Sequence, residues 1–261
     1  MSEQTAKEKR LKAIETFRLF DDTFMSAVFD GQIPATELLL KAVLSDRKLA
    51  VVSCEAQHYL SNIYGRETKL DILARGAGGE AYHVEVQRDL AGASVQRARF
   101  SAAMVDVTLL QKGQPHQEMP ERYTIFITEK DMFGRGAASY HAENRISELD
   151  NVPLYDGGHI IYVNGEYRNL DTPIGQLMHD FFCVDPEEII SPVLRERVRY
   201  LKQTEGGRDE MCQIMENMIN EEKIELAKDA IKKGDLTLEQ ISETLKLPLP
   251  FVQELSRQKS A

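Results

Sequence analysis

The chain has 261 residues, of which 42% are hydrophobic and 28% charged, with a formal net charge of -10; a sizeable core is possible and wholesale disorder is excluded. That charge argues against a general DNA-coating protein, because phosphate neutralisation needs clustered Lys and Arg. It leaves room for a nuclease, whose carboxylates gather around metal and whose basic residues keep to a rim.

Residues 5–29 read as one helix, with Leu11, Ile14, Phe17, Phe20, Phe24 and Val28 at three- and four-residue steps. Asp30-Gly31-Gln32-Ile33-Pro34 breaks it. The next helix, ATELLLKAVL, starts near Thr36 and carries Glu37 in its first turn. Residues 49–53 and 58–64 fit either strand or helix. KLDILAR then alternates, Gly76-Ala77-Gly78-Gly79 turns, and EAYHVEVQ alternates again, which is a β-hairpin pattern. Residues 93–111 read as a helix, and YTIFIT (123–128) and HIIYVN (159–164) as buried strands. Helices are expected over 173–182, 186–203 and 207–233. The order predicts an α/β mixed sheet flanked by helices. In the tail, Thr237 and Gln240 have capping-box spacing ahead of two short helices. The expected division is a body over 1–204, a helical extension over 205–234 and a helix-turn-helix-like tail over 235–261.

The hairpin raises the chemical question. With its turn at Gly78, Asp71 lies opposite Glu85 and Leu73 opposite His83. Alternation then puts His83, Glu85 and Gln87 on one face, and Tyr82, Val84 and Val86 on the other. Two carboxylates about 5 Å apart in a partly buried sheet repel one another. A divalent cation removes the conflict, and Mg²⁺ favours one or two carboxylates with further oxygens. The Val86 carbonyl is one such oxygen. From spacing alone, a solvated face with Glu85 paired to Arg75 or Arg88 explains the acids about as well.

Other features favour plainer readings. The glycine turn lacks a phosphate-loop pattern and leads into a strand. His83 is more readily a satisfied sheet histidine than a proton shuttle. The remaining histidines show no mutual zinc-type spacing, nor do Cys54, Cys183 and Cys212, and the four-residue interval from Cys54 to His58 reads as incidental. Arg195, Arg197, Arg199 and Lys202 read as a solvated helix face. Met211, Ile214, Met215, Met218, Ile219 and Ile224 form a stripe suited to core packing, and it also offers a homodimer face. No run approaches the ~18 apolar residues of a membrane helix, and the polar start with three unpaired cysteines reads as a cytoplasmic protein.

Taken in order, these pieces resemble the PD-(D/E)xK nuclease superfamily, and more closely its branch of bacterial nuclease-family transposases or recombination-promoting nucleases. The resemblance rests on Leu70-Asp71-Ile72-Leu73-Ala74 and Glu85-Val86-Gln87. It extends to Asp21, Phe24 and Phe29 before them, and to Gln96-Arg97-Ala98-Arg99-Phe100, Ile125–Thr128 with Asp131 and Phe133-Gly134, and Gly157–Asn164 after them. It spans roughly residues 10–203. It implies a restriction-endonuclease-like core with a helical C-terminal extension, acting as an Mg²⁺-dependent DNA endonuclease, with Mn²⁺ as a substitute and a link to recombination or mobile elements. Asp71 and Glu85 would be metal ligands, with the Val86 carbonyl beside them. Gln87 stands where most of the superfamily has lysine; it can orient a water but carries no charge. Glu37 or Asp21 would complete the site, and the sequence does not choose between them. Arg88, Arg97 and Arg99 would contact DNA. The alternative is a degenerate member of the same fold that binds DNA or protein without cutting.

Overall fold

The computed structural model describes residues 3–61, 67–110 and 112–258. The chain forms two compact units, Leu11–Arg208 and a second that combines the residues through Arg10 with those from Asp209 onward.

The larger unit is built on a six-stranded mixed sheet flanked by helices. Its strands are β1 (Val51–Ser61), β2 (Glu67–Gly76), β3 (Ala81–Gln87), β4 (Arg122–Thr128), β5 (Ser139–Ala142) and β8 (Gly158–Asn164), in the order β1-β2-β3-β4-β8-β5. A separate two-residue pair, β6 (Arg145–Ile146) and β7 (Val152–Pro153), lies on the excursion between β5 and β8. The stretches 49–53 and 58–64, ambiguous in sequence, belong largely to β1; residues 62–64 lie outside the described residues.

The hairpin register is the expected one: Leu73 pairs with His83 and Arg75 with Ala81. Its turn is a structural device. Glu80 folds back to accept the N–H of Gly78 at 3.0 Å. A Cβ on Gly76 or Gly78 would strike that carboxylate, and Gly79 has φ +95°. The β2–β3 ladder runs only as far as Ile72 opposite Val84. Beyond it β2 stays with β1, while β3 runs parallel to β4 through Gln87 opposite Thr128. The two strands of the hairpin therefore part at the level of Asp71 and Glu85.

Helix α4 (Val95–Leu109) crosses from β3 to β4, following a short 3-10 turn over Leu90–Ala93. Its buried Ala98 packs with Ala93, Phe126 and Tyr162, and its Met104 and Val105 with Leu60, Leu70 and Ala81. The expected helix over 93–111 thus begins later, with Ser94 accepting the N–H of Arg97 as its cap, and residue 111 lies outside the described residues.

The single helix expected over 5–29 is two, α1 (Glu3–Thr16) and α2 (Asp22–Phe29). The apolar spacing continues through the break. Between the helices, a tight turn forms in which the N–H of Arg18 donates to Asp21 Oδ2 at 2.7 Å. The turn sends Phe20 against Phe181 and Phe182, at ring centroid distances of 5.3 and 4.8 Å. Helix α3 (Ile33–Leu44) starts before Thr36, with Pro34 in its first turn, where a missing N–H costs nothing. Glu37 accordingly lies past that turn. Helix α5 (Pro173–Phe182) has the expected bounds; the segment expected as a helix over 186–203 is a 3-10 turn, Pro186–Glu188, followed by α6 (Pro192–Gln203).

Of the four basic residues of α6, Arg199 fits a solvated face and the other three do not. Arg195 donates to the carbonyls of Ile189 and Ile190, Arg197 to Ala27, and Arg199 pairs with Glu187. Lys202 is 4% exposed, and its Nζ donates to the carbonyls of Glu15, Phe17 and Val184 at 3.3, 2.6 and 2.6 Å. Burial pushes its pKa down from 10.5 to about 8, against the pull of Asp21 and Asp185. Between those two values the unfolded chain holds the proton more tightly, so this group makes folding stability rise with pH. Urea unfolding of the wild type and Lys202→Met across that window should show this rise in the wild type and its loss in the variant.

In the second unit α1 and α7 (Glu205–Lys233) exchange ion pairs, Lys7 with Asp209 and Arg10 with Glu216. Helices α8 (Leu238–Leu245) and α9 (Leu249–Gln258) close on α7 around Ala227, Ile241 and Val252. The capping box forms as expected: Thr237 accepts the N–H of Gln240, and Gln240 accepts that of Thr237. No helix among the described residues is long and apolar enough to cross a membrane.

Candidate functional site

The parting of β2 and β3 leaves strand N–H groups without a ladder partner, and Asp71 takes one of them. Its Oδ2 accepts the N–H of Val86 at 2.9 Å, in place of the strand that has turned away. Asp71 is partly exposed, while Glu85, one strand across, is completely buried. Such a carboxylate needs partners on both oxygens. Oε1 of Glu85 lies 2.8 Å from His83 Nε2, while Oε2 accepts from Arg97 at 2.8 Å and from Gln87 at 3.2 Å. The shared face of His83, Glu85 and Gln87 is therefore a hydrogen-bonded row.

The two acids remain in conflict. Burial, then the charge of Glu85, then that of Asp22 push the Asp71 carboxyl well above the usual range; the Val86 N–H and Arg97 act the other way. Asp22, at the start of α2, is thus the second acid whose charge bears on Asp71. A continuous helix over 5–29 gives no reason to prefer Asp22 over its neighbour Asp21. Asp22 also accepts from Gln57 at 3.1 Å.

The other candidate acids are engaged elsewhere. Asp21 takes the Arg18 N–H on one oxygen and Arg88 at 2.9 Å on the other. Glu37 accepts Lys41 at 2.8 Å and the N–H of Val51 at 2.9 Å; these bonds lower its pKa. Arg88 also bonds Glu129, which in turn pairs with Arg18. Arg97 reaches into the site and is still 43% exposed at its side chain. Arg99, two residues on, is exposed. Gln87 is seated against Gly92, where an added Cβ would come within 2.0 Å of its Oε1.

This donor set suits a hard divalent cation: two carboxylates whose repulsion it would relieve, at a place where the sheet opens. The mixed sheet with its flanking helices accompanies a match over residues 34–170 to the model of the PD-(D/E)XK nuclease family transposases. The chain belongs to that family. The match covers over half of the 261 residues, including all of the hairpin, α4, β4 and β8. No curated protein and no solved structure was found to match the chain. Membership indicates a nuclease-type function on DNA, in a family that typically uses divalent metals.

Proposed function

We propose that this chain is a metal-dependent endonuclease that hydrolyses phosphodiester bonds in DNA, in the service of recombination or mobile elements. The observation that carries the reading is the acid pair itself. The strands that carry Asp71 and Glu85 part at their level, the charge of Glu85 disfavours a charged Asp71, and Arg97 meets Glu85 at 2.8 Å.

In this reading Asp71 and Glu85 would hold a Mg²⁺ or Mn²⁺ ion, and Asp22 and the Val86 carbonyl would be supporting oxygens. When bound, the ion polarises the scissile phosphate and lowers the pKa of water. The side chains do the rest. The N–H of Val86 fixes the orientation of Asp71, and His83 fixes that of Glu85. Gln87, bonded to Glu85 through Nε2, presents its amide oxygen as an acceptor to align the attacking water. Arg97 is exposed enough to turn from Glu85 to a phosphate oxygen.

Supercoiled plasmid incubated with Mg²⁺ or Mn²⁺ tests the proposal. The wild type should nick it, and EDTA, Asp71→Ala and Glu85→Ala should each abolish nicking. Equal activity in the variants would assign the cutting elsewhere; DNA binding without cutting would favour a non-cleaving module of this fold.

A finer test acts through Gln87. Gly92→Ala would force the amide aside without touching either acid. Misplacement on that scale should lower the cleavage rate on the order of 10–100-fold. The melting temperature should change little, which calorimetry on the same preparation would check.

A further inference from the structure

The end of α5 gathers a second set of ligand-type side chains that the proposed nuclease chemistry does not use. His179 and Cys183 are one turn apart, so both lie on the same side of the helix end. Nδ1 of His179 is 3.3 Å from Asp180 Oδ1 and 3.5 Å from Cys183 Sγ. One donor atom from each of the three residues lies within 4.8 Å of the others. A tetrahedral ion with bonds of about 2.0–2.3 Å holds its ligands roughly 3.3–3.8 Å apart. The two distances from the imidazole fall in that range.

The surroundings are those of a supported ligand set. Asp180 is 1% exposed, and its two oxygens accept the N–H groups of Ile190 and Ser191 at 2.7 and 2.9 Å. Such outer bonds fix a ligating carboxylate and leave it a lone pair for metal. Nδ1 of His179 faces both an oxygen and a sulfur, the two atoms with which it would share a cation. The thiol meanwhile turns to its own helix, 3.3 Å from the His179 carbonyl. His179 is about one-third exposed, which gives an ion a route in and leaves a coordination position for water.

We propose that His179, Asp180 and Cys183 bind a borderline divalent cation of the Zn²⁺ type and thereby fix the end of α5. A nitrogen, an oxygen and a thiolate sulfur select such an ion over Mg²⁺. The adjacent Phe181 packs on Phe20 and Phe29, at ring centroid distances of 5.3 and 6.3 Å, so the ion would brace the wall on which α2 rests. The site is independent of the nuclease reading.

The test is a Co²⁺ titration of the full chain after chelator treatment and dialysis, followed by thiolate-to-cobalt absorption. One equivalent should produce the band in the wild type and in Asp71→Asn. Cys183→Ser, with circular dichroism confirming its fold, should abolish it. His179→Gln, at a partly exposed position, should weaken binding about tenfold or more. No band in the wild type, a band that survives Cys183→Ser through Cys54 or Cys212, or unchanged affinity in His179→Gln would each overturn the proposal.

Discussion

Asp71→Asn is expected to give a chain that is more stable than the wild type without metal and that fails to cut DNA. The amide keeps an oxygen for the Val86 N–H, so the local fold has no reason to change. What disappears is a carboxylate that burial and Glu85 disfavour in its charged form. Removing that conflict should stabilise the metal-free chain by about 1–2 kcal/mol, in the usual range for relieving a strained functional site. The same substitution removes a metal ligand. Lewis-acid stabilisation of several kcal/mol, at about 1.4 kcal/mol per tenfold, translates into a rate loss on the order of 10³-fold or more. Urea unfolding in EDTA and plasmid nicking in Mg²⁺ measure the two effects. A variant that cut normally, or one destabilised in EDTA, would contradict the account of this pair.

Arg97→Ala should act in the opposite sense on stability. Glu85 is wholly buried, and the guanidinium supplies its cationic partner at 2.8 Å. Leaving a buried carboxylate with only His83 and Gln87 should destabilise the metal-free chain. The expected loss is about 1–3 kcal/mol, below that for a fully buried pair because Arg97 is half in solvent. A cation bound by Glu85 replaces the missing charge, so saturating Mn²⁺ should narrow the gap between wild type and variant. Arg97→Lys should fall between them, since it keeps charge and loses the planar fork. Unfolding curves with EDTA and with Mn²⁺ would show this directly. An equal loss under both conditions would mean that Arg97 and the ion do not share Glu85. Cleavage should also fall, by on the order of 10²–10³-fold, if the guanidinium serves the phosphate in the transition state.

What could be read from sequence followed from period and turn chemistry. Two alternating runs around a glycine turn fix which residues share a face, so the row of His83, Glu85 and Gln87 and the pairing of Leu73 with His83 were legible. Strands β4 and β8 were visible as apolar runs bounded by polar residues. The break between α1 and α2 was not, because Phe17, Phe20 and Phe24 continue a helical spacing while the chain turns through Asp21. The same break sets Asp22 at the start of α2, which a continuous helix does not display. Strands β5 to β7 are two to four residues long and carry no periodic signal at all. The four-residue interval from His179 to Cys183 carries no more signal in sequence than that from Cys54 to His58, and the N–H groups that hold Asp180 lie 10 and 11 residues further on. Arg195, Arg197 and Lys202 of α6 resemble a charged surface in sequence because their partners are backbone carbonyls, which sequence does not display.

The proposed function requires that Asp71 and Glu85 together bind a divalent cation. The most direct measurement is a Mn²⁺ titration of the full chain, with free Mn²⁺ followed by electron paramagnetic resonance. The wild type should bind an ion that Mg²⁺ displaces, and Asp71→Asn and Glu85→Gln should each lose it while Cys183→Ser retains it. Unchanged Mn²⁺ binding in both acid variants would contradict the claim.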